Sequence, residues 1–238
     1  MKNLNELNIE IFADGADLSS ILELNNNPII KGFTTNPTLM NKAGILNYKN
    51  FAIDLLSKVN NKPISFEVFA DNNKSIVNQG LKINTWGRNV YVKVPVVNSK
   101  NKFMGEAIKE LNSQNIKLNI TAVYTSNQTK KILKVINKKT KVIISIFAGR
   151  AADTGKDPVP EFLKSIKFAK NYKNVEILWA SVREPYNYIQ AKQLGCQIIT
   201  IPPNIIEKIE KFGKSFNQLT VETIKAFLLD SKKSKFKI

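Results

Sequence analysis

Short apolar runs rich in β-branched residues recur along the chain at intervals of roughly 25–30 residues. They occupy 9–13, 30–34, 63–70, 89–96, 116–123, 141–148, 174–180 and 197–201, and each reads as a strand. Each is followed by a segment that is helical or starts like one. Residues 47–59 place Phe51, Ile53, Leu55, Leu56 and Val59 along one helix, and 105–111 do the same with Ala107, Ile108 and Leu111. Ile132, Leu133 and Ile136 define a helix over 126–136. Two more helices, 160–168 and 185–194, open with a proline near the first turn, where its missing N–H costs nothing. A last amphipathic helix begins near 217 and reaches 229, with a basic tail over 230–238.

Eight strands alternating with helices predict a parallel sheet. Several strands, 141–148 among them, are apolar on both faces, as when helices cover the outside. Eight units in 238 residues fit a (β/α)8 TIM barrel, with a doubly wound open sheet as the rival. No linker or composition break divides the chain, so 1–238 reads as one domain. The C-terminal helix is one element more than a barrel needs, and its apolar face suits a neighbouring subunit. The lysines of the tail read as solvated.

Composition removes whole classes of chemistry. The chain has no histidine, which excludes Ser-His-Asp and Cys-His hydrolases and histidine-bound zinc sites. A single cysteine, Cys196, excludes an intramolecular disulfide framework; it reads as packing. No apolar stretch approaches the roughly 18 residues needed to span a bilayer. Residues 1–10 lack the apolar core of a signal peptide, so a cytoplasmic protein is expected.

The formal net charge of +17 points to anionic partners. Only three cations are arginine, namely Arg88, Arg150 and Arg183, and the lysines are spread along the chain. Readers of nucleic acid rely on arginine forks, so phosphorylated metabolites are the expected partners rather than nucleic acid or membrane. A basic polyanion binder is the alternative from another class.

Lys93 lies in Val90-Tyr91-Val92-Lys93-Val94-Pro95-Val96. Alternation sets Val92, Val94 and Val96 on one face and Tyr91, Lys93 and Pro95 on the other. In a barrel one face meets the helices and the other points into the closed interior, where desolvation would favour a neutral Lys93 amine able to attack a carbonyl. The competing reading is an edge-strand lysine reaching water, which Pro95 would tolerate. Asp14 ends the first strand, whereas Asp17 reads as a helix cap. Glu67, inside Ile64-Ser65-Phe66-Glu67, needs a partner if buried: a structural ion pair with a neighbouring lysine, or a proton-transfer pair with it. Asn36 could cap a helix that starts at Pro37. Asn119 and Thr121 share a face, Ser145, Phe147 and Arg150 end the sixth strand, and Ser181 and Arg183 end the seventh. Polar groups at the C-terminal ends of barrel strands mark where sites of this fold lie, and arginine there suits phosphate. Neither GxGxxG nor a Walker loop is present.

These residues together resemble the transaldolase family of class I barrels, from Asp14 to about Pro202. The resemblance rests on Phe12-Ala13-Asp14, Thr34-Thr35-Asn36-Pro37, Val92-Lys93-Val94-Pro95, Asn119-Ile120-Thr121-Ala122-Val123-Tyr124 and Ala180-Ser181-Val182-Arg183. The length is similar to that of the short subfamily, which includes fructose-6-phosphate aldolase. The resemblance implies a Schiff base on Lys93, acid–base work by Asp14, and a proton-shuttling water held by Glu67 and Thr121. It implies that Asn36, Asn119 and Ser145 bind the dihydroxyacetone hydroxyls and that Arg150, Ser181 and Arg183 bind phosphate. It also implies no cofactor and no metal, and a homo-oligomer of pentamer or decamer type. Fructose-6-phosphate aldolases typically carry Gln and Tyr at the Glu67 and Phe147 positions, so Phe147 favours transfer of the three-carbon unit over its release. The direct aldolase is the alternative. Gly15, where the family often has Ser or Thr, is a departure.

Overall fold

The computed structural model describes residues 9–234. In chain order the elements are β1 (Glu10–Asp14), α1 (Leu18–Asn25), β2 (Ile30–Thr34), α2 (Pro37–Lys42), α3 (Tyr48–Lys58), β3 (Ile64–Glu67) and α4 (Asn73–Asn84). They continue with β4 (Val90–Pro95), α5 (Gly105–Ser113), β5 (Leu118–Val123), α6 (Ser126–Val135), β6 (Val142–Phe147), α7 (Ala148–Ala152) and α8 (Val159–Ala169). The last five are β7 (Val175–Ala180), α9 (Tyr186–Leu194), β8 (Ile198–Ile201), α10 (Pro203–Ile209) and α11 (Phe216–Ser234). The eight strands are parallel and close in sequence order, β8 pairing with β1, into a (β/α)8 barrel. The open-sheet alternative is thereby excluded. No helix among the described residues is long and apolar enough to cross a membrane.

Strand alternation divides the core in two. Val90, Val92, Val94 and Val96 point outward into the large cluster shared with the helices. Phe12, Tyr91, Ile143, Leu178, Ala180 and Ile198 form the separate inner cluster, with Phe147 against it. The inner wall is tight: a Cβ on Gly32 would lie 2.6 Å from the Phe12 ring, so β2 must carry glycine beside that phenylalanine. Closure also leaves β4 without an edge, since it pairs with β3 on one side and β5 on the other. The reading of Lys93 as an edge lysine therefore fails.

Caps fix several helix starts. Asp17 accepts the Ser20 N–H at the head of α1, and Asn36 accepts the Leu39 N–H at the head of α2. Several expectations need correction. Ser181 and Arg183 do not end β7, which stops at Ala180, but lie in the loop beyond it. Arg150 is not a strand end but lies in the short helix α7, formed by the alanine-rich run after Phe147. The C-terminal helix begins at Phe216 and runs through Ser234, so residues 230–234 are helix, not tail. Nothing between Leu229 and Ser234 breaks a helix, and Lys232 and Lys233 in its last turn suit the negative end of the helix dipole. The tail residues Lys235, Phe236 and Lys237 lie outside the described residues.

Candidate active site

The C-terminal ends of the strands surround a cavity of about 330 Å³. Asp14, Asn36, Lys93, Thr121, Ser145, Phe147, Arg150, Ser181 and Arg183 all line it. Strand register explains the convergence at its floor. Glu67 is the pairing partner of Lys93 across β3 and β4, and Asn119 is its partner across β4 and β5. Lys93 is 5% exposed. Its Nζ donates to the Thr35 carbonyl at 2.8 Å and lies 3.4 Å from Glu67 Oε2. Of the two readings of Glu67, the geometry shows the first: it is an ion pair with a lysine on the adjacent strand, at the base of the cavity.

Asn119 does not line the cavity but stands behind it, whereas Glu67 lies beside Lys93 with its side chain 19% exposed. Fully buried Asn119 donates to Ser65 Oγ at 3.0 Å and accepts from Ser145 Oγ at 2.7 Å. This chain fixes the amide and aims the Ser145 hydroxyl oxygen at the cavity. Thr121 lies at the cavity wall, 2% exposed, and its hydroxyl has no hydrogen-bond partner among the described residues. A buried hydroxyl left free is costly unless a ligand or water meets it. Immediately after it, Ala122 adopts φ 58° at a bulge where β5 changes register against β6. Such bulges re-aim side chains beside functional sites.

On the opposite wall, Asp14 accepts a hydrogen bond from the Thr34 hydroxyl at 2.8 Å, and Thr34 in turn meets Thr200. Burial pushes the Asp14 carboxyl above the usual carboxylate range, although the Lys93 ammonium and the Thr34 hydroxyl pull it down. Desolvation wins because the carboxylate end of β1 is enclosed by neighbouring strands. Among the described residues Asp14 is the only acid lining this cavity, and four cations line it with Asp14: Lys42, Lys93, Arg150 and Arg183.

Two arginines line the cavity, Arg150 in α7 after β6 and Arg183 in the loop after β7. The Arg150 guanidinium lies 5.5 Å from the Phe147 ring centre, and its backbone N–H donates to Ser181 Oγ at 3.1 Å. Ser181 has a left-handed backbone, φ 65°, and its carbonyl faces Gly149. A Cβ at Gly149 would fall 1.8 Å from that carbonyl oxygen, so the two loops meet this closely only with glycine there. Arg183 forms a forked ion pair with Asp153, Nη2 to Oδ2 at 2.7 Å and Nε to Oδ1 at 3.1 Å.

Sequence reasoning missed several wall residues. Thr200 was the lone hydroxyl of β8 and shares its inward parity with Ile198, a signal that alternation carried. Ser65, which stands behind the wall and accepts from the Asn119 amide, lies two residues before Glu67 and so on its face. Thr38 and Lys42, on α2, carry no comparable pattern and are placed by the β2–α2 connection alone.

Comparison with known proteins agrees with this architecture. The profile of the family described as Transaldolase/Fructose-6-phosphate aldolase matches residues 11–238. A protein named "Probable transaldolase" from Nitrosopumilus maritimus is 34% identical over 230 residues, 95% of this chain and 96% of its own. One of the same name from Thermoplasma volcanium is 32% identical over 229 residues, covering 94% of this chain and 96% of its own. In fold, the chain is similar to the solved structure of KGPDC from Streptococcus mutans: TM-score 0.55, 9% identity, 82% of this chain and 88% of that one. At that identity the likeness shows the barrel alone. The sequence matches span the strand ends that build the cavity, and the chain belongs to the transaldolase/fructose-6-phosphate aldolase family.

Proposed function

We propose that this chain is a transaldolase that moves a dihydroxyacetone unit from a ketose phosphate to an aldose phosphate through an imine on Lys93. The reaction is sedoheptulose 7-phosphate plus glyceraldehyde 3-phosphate giving erythrose 4-phosphate plus fructose 6-phosphate, in the non-oxidative pentose phosphate pathway. The observation that carries this reading is the enclosed Lys93 amine at the floor of a cavity, with Glu67 3.4 Å away and Asp14 and Thr121 on the walls.

Lys93 Nζ adds to the C2 carbonyl of the donor, and the carbinolamine loses water to give the protonated imine. Water held at the free Thr121 hydroxyl and the Glu67 carboxylate carries the protons of that step. Asp14 then takes the proton of the C4 hydroxyl. The C3–C4 bond breaks, its electron pair enters the imine, and the shortened aldose phosphate leaves. The enamine attacks the acceptor aldehyde, Asp14 returns its proton to the new hydroxyl, and hydrolysis frees Lys93. The imine is the electron sink, so this chemistry calls for no metal. Asn36 has its Oδ1 committed to capping α2, which leaves its amide protons for the C1 and C3 hydroxyls, beside Ser145. Arg150, Arg183 and Ser181 receive the phosphate at the opposite end of the sugar.

Phe147 favours transfer over release. It brings no hydroxyl to the cavity, and the nearby phenol, Tyr124, lines an outer groove instead. Without a phenol to hold the water that would protonate the enamine, the three-carbon unit stays on Lys93 until an aldose phosphate arrives. We infer as well a cytoplasmic enzyme that works as a homo-oligomer through α11.

Borohydride reduction in the presence of fructose 6-phosphate, followed by peptide mapping, tests the mechanism. A single adduct on Lys93 is expected, with turnover dependent on erythrose 4-phosphate. No adduct, or adducts scattered over surface lysines, would remove the imine reading and bring the polyanion-binding reading forward. Release of dihydroxyacetone without an acceptor would identify the direct aldolase.

A further inference from the structure

The geometry points to Asp153 as a positioning residue that holds Arg183 from behind and so sets the affinity of the site for the phosphate end of its sugars; this rests on the phosphate role proposed above for Arg183.

Arg183 stands in the partition between two spaces. On one side is the cavity above Lys93, and on the other an outer groove of about 900 Å³. Asp153 lines only the outer groove. Its carboxylate accepts from Nε and Nη2 of Arg183, which leaves Nη1 and the second Nη2 proton without a protein partner among the described residues. The half of the fork that Asp153 grips is therefore separate from the end that can receive a phosphate. Two bonds to a planar group fix its plane as well as its position.

The local fold explains why the carboxylate is there. Asp153 follows Arg150 by three residues, closing the short helix α7, and its N–H donates to the Gly149 carbonyl at 2.8 Å. Gly149 is the residue that abuts the Ser181 carbonyl. One glycine contact thus brings Arg150 and Asp153 of one loop against Ser181 and Arg183 of the next. Two guanidinium groups converging on one anion site repel each other when it is empty, and a carboxylate between their loops offsets that repulsion. The Arg183 guanidinium, and more weakly Arg150, hold the Asp153 carboxyl below its usual range, so the pair is ionised at neutral pH.

The negative charge of Asp153 also opposes an incoming dianion. Both side chains of the pair are about half exposed, 47% for Arg183 and 50% for Asp153. Water screens that repulsion, whereas nothing replaces the lost orientation of the fork.

The test compares the full-length Asp153→Asn variant with the parent in two assays. In the first, inorganic phosphate is titrated calorimetrically. Its dissociation constant is expected to rise about 1.5-fold to fivefold, the range for an ion pair lost at a half-exposed site. In the second, the KM for fructose 6-phosphate should rise by a similar factor, exceeding any fall in kcat, while kinetics with unphosphorylated fructose stay at the parent level. Asp153→Glu should recover part of the loss, and adding Asp153→Asn to Arg183→Lys should cost no further affinity. Phosphate bound equally well or more tightly by Asp153→Asn would overturn the proposal. So would an equal loss with phosphorylated and unphosphorylated sugars, or fully additive losses in the double variant. The phosphate titration needs no turnover, so it decides the role of Asp153 even if borohydride finds no adduct on Lys93.

Discussion

Asp14 is held where its surroundings resist ionisation, and this links its chemistry to the stability of the barrel. Its carboxyl is raised above the ordinary value of 3.8 chiefly by burial. The folded chain therefore binds that proton more tightly than the unfolded chain, and the carboxyl contributes a loss of stability as pH rises above 3.8 that is complete once the folded value is passed. Asp14→Asn removes the penalty while still accepting from the Thr34 hydroxyl. At neutral pH its melting temperature should exceed the parent's, by about 2–4 °C for each kcal/mol relieved, and the gap should close at pH values below 3.8. Turnover should fall by about 10²–10⁴-fold, the usual worth of a positioned acid–base group. Thermal melts at two pH values check the first part. Equal melting temperatures at neutral pH would mean that the Lys93 and Thr34 interactions cancel the burial. Gly149 gives a second test at this scale. Gly149→Ala must drive a Cβ into the Ser181 carbonyl, so the loops after β6 and β7 must part. About 1–3 kcal/mol of stability should be lost, as in other overpacked sites, and the KM for phosphorylated sugars should rise more than tenfold, about 1.4 kcal/mol. In the sequence Gly149 stands upstream of Gly155-Lys156 at a spacing that matches no Walker loop. Its role depends on a contact with Ser181, thirty-two positions later, that no local pattern encodes.

The strands were legible because their physics is local. Each β-branched run sits between a helix end and a turn, and all eight strands start within two residues of the expected starts, although β3 stops at Glu67, three residues short of the expected run. Alternation also separated Lys93 from Val92 and Val94 correctly, and with it the floor of the cavity. Elements that depend on neighbours were not foreseen. Helix α7 is five residues long and α10 is seven, too short for a periodic signal, and both are held by the barrel rim. Asp153 owes its place to α7: with Arg150 at a strand end, a residue three positions onward has no reason to return to the site. The inner face of β6 supplies the prediction for this scale. Phe147 follows Ser145 on that face and packs against the inner cluster with Arg150 over its ring. Phe147→Tyr places a hydroxyl at the cavity wall with little change in volume. It is expected to raise the ratio of acceptor-independent dihydroxyacetone release to transfer, measured with fructose 6-phosphate in the absence and presence of erythrose 4-phosphate. An unchanged ratio would show that Phe147 is barrel packing and that another group controls the water.

At the scale of the whole molecule, α11 is the element that the barrel does not use. Its nineteen residues span about 28 Å at 1.5 Å per residue, and none of them is buried. Phe216 is 88% exposed and Phe227 65%, with Leu219, Val221, Ile224, Leu228 and Leu229 also open. Exposed apolar surface of this kind is uncommon on monomers and fits the homo-oligomer proposed above. A second copy of the chain offers a suitable partner. Between α1 and α10 lies a groove of about 300 Å³ lined by Glu23, Glu207 and Glu210 together with Leu24 and Ile206, an acidic and partly apolar seat in a chain of net charge +17. Lys225, Lys232 and Lys233 of α11 provide the opposite charge. The full chain should therefore sediment as an oligomer, and removal of residues 215–238 should yield a monomeric barrel that melts as a folded domain. Phe227→Asp should act in the same direction, because a carboxylate in an apolar contact is left without a partner. Added salt should weaken the assembly only modestly if the apolar face dominates, whereas a strong salt dependence would assign the contact to the lysines. A full chain that sediments as a monomer at every concentration would refute the interface and leave α11 as an exposed amphipathic helix, whose apolar face should then draw the protein into aggregates that the truncated barrel does not form.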